Sequence, residues 1–411
     1  MSEDDIIRIN EERNARLFAP FNPVTGEGSI GERVRIEITD FPIRVQYIPK
    51  QMMSNSYVRR LVKAGSVVEF CKRYLHDEDG GKITRPDPYQ IECVIKQMTR
   101  IRCRFDFPFW AVVYVMIKVK GGGADIHFSL NYPQRKLIST FEAMRVAGMP
   151  IRLILLKARQ WGGSTATQIY MSWLQLVHQV GLNSLIVGHV KDASYEVKDM
   201  FDRMINSYPA EMLHELNEQY DPAERKIEGV GNSGNITRII ARNCKIKIGS
   251  YEKPESARGG DYNLVHCTEG GRWESTDKKT AAKVVRSACG GMAYKPYTMI
   301  VYESTANGTG NFFEKEYHDA KKNDSQYKAL FIAWFEIELY RLEVKNKRAF
   351  AASLLKNKNN AYSPSDRSEP GRYLWYLWEC AATLEAIAWY IEERKKYYDH
   401  GDMASEYPTD D

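Results

Sequence analysis

Residues Lys157-Ala158-Arg159-Gln160-Trp161-Gly162-Gly163-Ser164-Thr165 set two cations, two adjacent glycines and two hydroxyls in a row. They lie between an apolar run, Leu153 to Leu156, and an amphipathic stretch from about Ala166 to Val177. Strand, glycine turn, hydroxyls and helix in that order make a phosphate-binding loop. Backbone N–H groups and a helix N-terminus then point at phosphate oxygens, and glycines let the backbone come close. Ser164 or Thr165 presents a hydroxyl to Mg²⁺. The ordinary pattern has glycine at the position of Lys157 and lysine at the position of Gly163, so the two residue types are exchanged here. Lys157 and Arg159 are the two candidates for the cation that neutralises the β- and γ-phosphates, lysine as a point charge and arginine as a planar fork. The exchange suggests Lys157, reaching the phosphates from the far end of the loop. The plainer alternative is a glycine turn joining a strand to a helix.

Two later segments bear on that reading. Arg258-Gly259-Gly260 leads into the apolar strand Leu264 to Cys267, which ends in Thr268-Glu269. A strand ending in an acid downstream of such a loop is a Walker B element, normally Asp-Glu: the Asp holds Mg²⁺ and the Glu orients the attacking water. Glu269 is present, and Thr268 stands at the Asp position, where an uncharged hydroxyl holds a metal more weakly. The third segment, Glu303-Ser304-Thr305-Ala306-Asn307-Gly308, follows another apolar strand. Short hydroxyl and amide side chains there can sense a γ-phosphate and relay its loss. By themselves an exposed loop carboxylate and a polar helix cap account for the last two segments equally well.

Taken in order, the three segments resemble the ATPase domain of the phage terminase large subunit, the motor that drives DNA into a procapsid. That family writes its loop Arg-Gln-x-Gly-Lys-Ser/Thr, and Arg159 to Ser164 match except at Gly163. Its Arg-Gly precedes its acids at the spacing between Arg258 and Glu269, and its coupling motif matches Ser304 to Gly308. Its adenine-contacting glutamine has a counterpart in Gln134 of Asn131-Tyr132-Pro133-Gln134. The resemblance spans about residues 125–335. It implies a P-loop NTPase of the ASCE type using ATP and Mg²⁺, with Gln134 contacting adenine and Arg159 contacting phosphate or switching with it. Gln160, Trp161, Gly162, Gly163, Ser164 and Thr165 then line the nucleotide, Ser164 and more weakly Thr268 approach the metal, and Glu269 activates water. Ser304, Thr305, Asn307 and Gly308 couple hydrolysis to movement. Implied partners are double-stranded DNA, a portal protein, a small terminase subunit and further copies of the chain in a ring. In that ring Arg258, Arg272 or Arg286 reaches a neighbour's γ-phosphate. The implied location is the host cytoplasm, at the portal. Lys278, Lys279, Lys283 and Arg286 are candidates for DNA contact, or a solvated helix face. The nuclease domain usual in the family is not expected in these residues, because 405–411 read as an acidic, proline-containing linker. Two other readings are a helicase-like ATPase, whose further motifs are not found, and a non-hydrolysing scaffold that binds DNA or portal. Gly163 and Thr268 favour the scaffold; Glu269 and the coupling loop oppose it.

These motifs need a sheet to hold them. Apolar strand-like runs alternate with helical patterns from residue 125 to 335, which predicts a mainly parallel sheet flanked by helices, with ligands beyond the strands' carboxyl ends. Residues 1–124 form an N-terminal region without an assigned role. It is read as an extended arm, strands over 33–48, a helix over 58–74 and a strand over 105–118. Residues 336–411 form a helical lid or linker. At 411 residues the chain has room for a large core. Its seven scattered cysteines suggest neither a disulfide framework nor a zinc site. No apolar run approaches the roughly 18 residues of a membrane span, and the acidic start is unlike a secretory signal. A net charge of +5 permits nucleic-acid binding without demanding it.

Overall fold

The computed structural model describes residues 1–411 apart from 78, 119–121, 231–234, 254–255, 257–259, 274–279, 309 and 359–369. The chain opens in a helix rather than an extended arm: Ser2 caps α1 (Glu3–Leu17) in a capping box with Asp5, and three acids in the first turn suit the helix dipole. A hairpin of β1 (Arg33–Glu37) and β2 (Val45–Pro49) follows. With α2 (Ser56–Ala64), α3 (Val67–Tyr74) and α4 (Pro88–Phe105) it encloses a small core around Ile36, Ile48, Leu61, Phe70 and Val94. The helix expected over 58–74 is thus two helices, parted at Gly65, whose φ of 71° ends the first. The strand expected over 105–118 is largely helix α5 (Phe107–Tyr114). Its proline near the N-terminus suits a helix start. It is apolar all round because Phe107, Phe109, Trp110 and Ala111 are all buried, and sequence periodicity cannot tell a fully buried helix from a fully buried strand.

After a short antiparallel pair, β3 (Met116–Ile117) and β4 (Ile126–His127), strands and helices alternate as the sequence predicts. They run α6 (Tyr132–Val146), β5 (Ile151–Lys157), α7 (Gly163–Trp173), β6 (Asn183–Gly188), α8 (Lys191–Ser207), α9 (Ala210–Leu216), β7 (Ile227–Gly229), β8 (Ile236–Ile239) and β9 (Cys244–Ser250). Then come β10 (Leu264–Thr268), α10 (Ala281–Cys289), β11 (Met299–Ser304), α11 (Phe312–Lys321) and β12 (Lys328–Ile332). Among the described residues the main sheet has eight strands in the order β12-β5-β11-β10-β6-β9-β8-β7. All are parallel from β12 to β9, and β8 and β7 add an antiparallel edge. The fold is therefore an α/β sheet flanked by helices, with the loop strand β5 and the acid-ended strand β10 separated by β11.

Side chains alternate between two apolar layers, as expected for a parallel sheet covered on both faces. Leu153, Leu155, Met299, Val301 and Leu264 belong to the core beneath α6 and α7. Ile154, Ile300, Tyr302, Val265 and Cys267 belong to the core on the opposite face. This alternation sends Lys157, Glu303, His266 and Thr268 to the face covered by α7.

Among the described residues four helices follow: α12 (Lys347–Leu355), α13 (Pro370–Glu379), α14 (Leu384–Arg394) and α15 (His400–Glu406). Helix α1 docks on them, with Asn10 and Asn14 donating to Glu385 and Arg13 lying over the Trp378 ring. Residues 405–411 are not a free linker. Thr409 is buried and accepts from Trp334 Nε1, and Asp411 accepts from Tyr317. No helix among the described residues is long and apolar enough to cross a membrane.

Candidate functional site

The loop of residues 157–165 leaves the carboxyl end of β5 and enters α7. Gly162 sits at the helix N-cap with φ 78°, a left-handed conformation that favours glycine, and lends no side chain to cap the helix. The N–H groups of the first turn therefore open toward the loop as an anion site would require. Gln134, at the start of α6, braces this loop. Its Nε2 donates to the carbonyls of Trp161 (3.2 Å) and Gly162 (3.1 Å), and its Oε1 accepts from Asn131 N in a capping box. Asn131 Nδ2 adds a third bond, 3.0 Å, to the Trp161 carbonyl.

The exchange at 157 and 163 has a steric reason. Trp161 is buried, and a Cβ on Gly163 would stand 2.6 Å from its indole Cζ2. No side chain fits at 163 while the ring lies there. Lys157, by contrast, ends β5 half-buried on the same face.

Beneath the loop lies a carboxylate that sequence reasoning passed over. Glu303, the penultimate residue of β11, is fully buried. The Ser164 hydroxyl donates to its Oε1. His266 Nε2 lies 3.1 Å from the same oxygen, out of line for a hydrogen bond. On the other side of the ring, Gln168 Nε2 lies 2.5 Å from His266 Nδ1. Among the described residues Oε2 of Glu303 has no hydrogen-bond partner. Burial pushes this carboxyl up, but the charge of Lys157, followed by His266 and the Ser164 hydroxyl, outweighs burial and holds it down at about 2. Glu303 is therefore ionised. Its register partner on β10 is Thr268. A charged residue closing the apolar run Met299–Tyr302, and a lone histidine within Leu264–Cys267, were the signals available in the sequence.

Glu269 follows Thr268 directly and is half-buried in a left-handed conformation, φ 58°. That strained backbone turns the chain sharply at the strand end. The turn is tied to the segment after β11: Gly271 N donates to Ser304 Oγ (2.9 Å), and Asn307 Nδ2 donates to Gly271 O (2.8 Å). Thr305 is half-buried, and Gly308 is exposed with φ 69°.

Two of the candidate arginines meet at one carboxylate. Arg159 Nε lies 2.8 Å from Glu406 at the end of α15, and its backbone N–H donates to the Glu406 carbonyl. Arg272 reaches the other oxygen of Glu406 at 3.3 Å. One C-terminal carboxylate thus gathers the loop arginine and one candidate trans-acting arginine. Arg286 is exposed on α10, as is Lys283. Arg258, Lys278 and Lys279 lie outside the described residues. Gln160 is exposed and Thr165 half-buried at the loop surface. Among the described residues no group of three or more His, Cys, Asp or Glu side chains could hold a metal alone, so an ion here needs phosphate and water as further ligands.

No family model matches the chain, and no curated protein matches it in sequence. The solved structures it resembles include phage large terminases. The HK97 bacteriophage large terminase is 11% identical, with a TM-score of 0.44, over 61% of this chain and 51% of its own. The Thermus phage P74-26 large terminase ATPase domain is 14% identical, with a TM-score of 0.36, over 63% of this chain and 88% of its own. A large terminase from another thermophilic bacteriophage, in complex with ADP, is 13% identical, with a TM-score of 0.36, over 54% and 49%. The chain spans about half the length of the first and third of these. At such identities and TM-scores these are likenesses only.

Proposed function

We propose that this chain is the ATP-hydrolysing part of a DNA-packaging motor, which uses Mg-ATP to translocate double-stranded viral DNA into a procapsid. The observation that supports this most is the convergence of Lys157, Ser164, Thr268, Glu269 and Ser304 at the carboxyl ends of β5, β10 and β11. N–H groups at the start of α7 take phosphate oxygens, and Lys157 neutralises the β- and γ-phosphates from the strand end. The Ser164 hydroxyl and a buried carboxylate with an unpartnered oxygen fit Mg²⁺, which when bound offsets the charge on the transferring phosphate. Glu269 orients the attacking water. Gln134 contacts the adenine and passes that contact to the carbonyls it braces. Arg159 leaves Glu406 for phosphate. Ser304, Thr305, Asn307 and Gly308 relay phosphate loss through Gly271. Copies of the chain form a ring on the portal in the host cytoplasm, with a small terminase subunit as a further partner, and Arg258, Arg272 or Arg286 acts across the subunit boundary. Lys278, Lys279, Lys283 and Arg286 face DNA, so affinity falls steeply with salt.

The test is DNA-stimulated phosphate release by the portal-bound protein. Glu269→Ala abolishes it, and Lys157→Ala lowers it far more than Arg159→Ala does. Full activity in Lys157→Ala removes that lysine from the role. No hydrolysis by an assembled ring leaves the scaffold reading, which Gly163 and Thr268 favour.

A further inference from the structure

The geometry points to Glu303 as the carboxylate that holds the divalent cation, replacing across the β10–β11 register the acid that Thr268 lacks. This rests on the nucleotide-site reading above and deepens it. Thr268 and Glu303 are direct register partners on adjacent parallel strands, and both side chains lie on the face covered by α7. An acid moved from one to the other shifts sideways by about one strand spacing, ~4.8 Å, and stays level with the loop. The shift carries it toward β5, since β11 lies between β5 and β10. Ser164 is the loop hydroxyl expected at the metal, and its hydroxyl already meets Glu303 Oε1. Oε2, buried and without a hydrogen-bond partner among the described residues, is the second oxygen. A buried carboxylate oxygen without a donor calls for an explanation, and a bound cation supplies one. The Ser164 hydroxyl holds Oε1, and His266, itself packed against Gln168, lies 3.1 Å behind that oxygen, where groups flanking metal-binding carboxylates lie. Mg²⁺ needs only one or two carboxylates when phosphate oxygens and water complete its shell, which agrees with the absence of a larger acid cluster among the described residues.

Glu269 then keeps the water-activating role alone. Glu303 and Glu269 do separate work at the ends of neighbouring strands, and the loop-strand lysine balances the charge of Glu303 while the ion is absent.

The experiment measures Mn²⁺ binding by electron paramagnetic resonance in the presence of ATPγS, together with ATPγS affinity in EDTA. Glu303→Gln is expected to weaken Mn²⁺ by at least about 10–100-fold, the range seen when even the groups orienting a metal's ligands are removed, while ATPγS binding in EDTA is retained or tightened, because the lost charge no longer competes with phosphate for Lys157. Thr268→Asp in the Glu303→Gln background restores Mn²⁺ binding, which a purely structural role for Glu303 would not produce. This double variant also covers the case in which Glu303→Gln alone fails to fold. Wild-type Mn²⁺ affinity in Glu303→Gln, or no recovery in a folded double variant, overturns the assignment and leaves the nucleotide site standing. No ATPγS binding by the wild type in EDTA or Mn²⁺ overturns the nucleotide reading and this inference with it.

Discussion

Restoring the ordinary loop lysine should damage this protein. In Gly163→Lys the new Cβ would lie 2.6 Å from Trp161 Cζ2 and 2.8 Å from Cη2, against 3.4 Å or more in ordinary contact. The ring must therefore yield about 0.8 Å (3.4 minus 2.6). It has little room, because Trp161 is 2% exposed and belongs to the core beneath α7. Overpacking of this kind costs about 1–3 kcal/mol, which is roughly a 5- to 150-fold loss in the folding equilibrium. Urea unfolding should show that loss as a lower midpoint with an unchanged slope. Trp161→Ala alone opens a cavity and costs about 3–5 kcal/mol. The double variant Trp161→Ala/Gly163→Lys should cost less than the sum of the two by about 0.5–3 kcal/mol, because the lysine stem enters the space the ring leaves. Gly163→Lys should also fail to rescue the ATPase of Lys157→Ala. Strict additivity of the two substitutions, or a Gly163→Lys protein as stable as wild type, would falsify the steric explanation of the exchanged lysine.

Three other outcomes follow from buried polar groups. Ser304→Ala leaves the buried Gly271 N–H without its acceptor and should destabilise by about 1–3 kcal/mol in urea; no change would mean that the two turns are not tied through this bond. Asp106 is buried between Arg102 (3.0 Å) and Arg33 (2.9 Å), so Asp106→Ala strands two guanidinium groups and should cost about 3–5 kcal/mol by the same measurement. His178 has both ring nitrogens buried without partners, and burial, then Arg145, Arg104 and Arg242, pushes its pKa down to about 2. The unfolded chain takes up this proton near pH 6.5 and the folded chain does not, so the stability is full above pH 6.5 and falls by up to about 1.4 kcal/mol per pH unit as pH drops from there toward 2. Unfolding at pH 7 and pH 5.5 should differ by about 1 kcal/mol more in wild type than in His178→Phe, and equal differences would rule out a neutral buried imidazole.

Much of the fold was legible in the residues. Alternating apolar strands and amphipathic helices from residue 125 onward specify a covered parallel sheet, because each side of such a strand must meet a helix. Chain order also placed the glycine loop after β5, the acid at the end of β10 and the polar segment after β11. Misreadings fell where local pattern is ambiguous or overridden. Phe107–Tyr114 is apolar throughout, so neither a period of 2 nor one of 3.6 appears in it. The first residues carry a capping box, Ser2 with Asp5, which the turn formers further along obscured.

Residue identity alone determined that Gly163 and Thr268 stand where the phosphate-loop and Walker B patterns carry a lysine and an acid. Only the tertiary structure decided why and what stands nearby. The indole of Trp161 excludes a side chain at 163, strand register brings Glu303 beside Thr268, and the chain's last helix carries Glu406 to Arg159 and Arg272. Each of these depends on which strands become neighbours and on where distant segments dock. Both are set by burial of apolar faces across the whole molecule, and no short window of sequence contains that information.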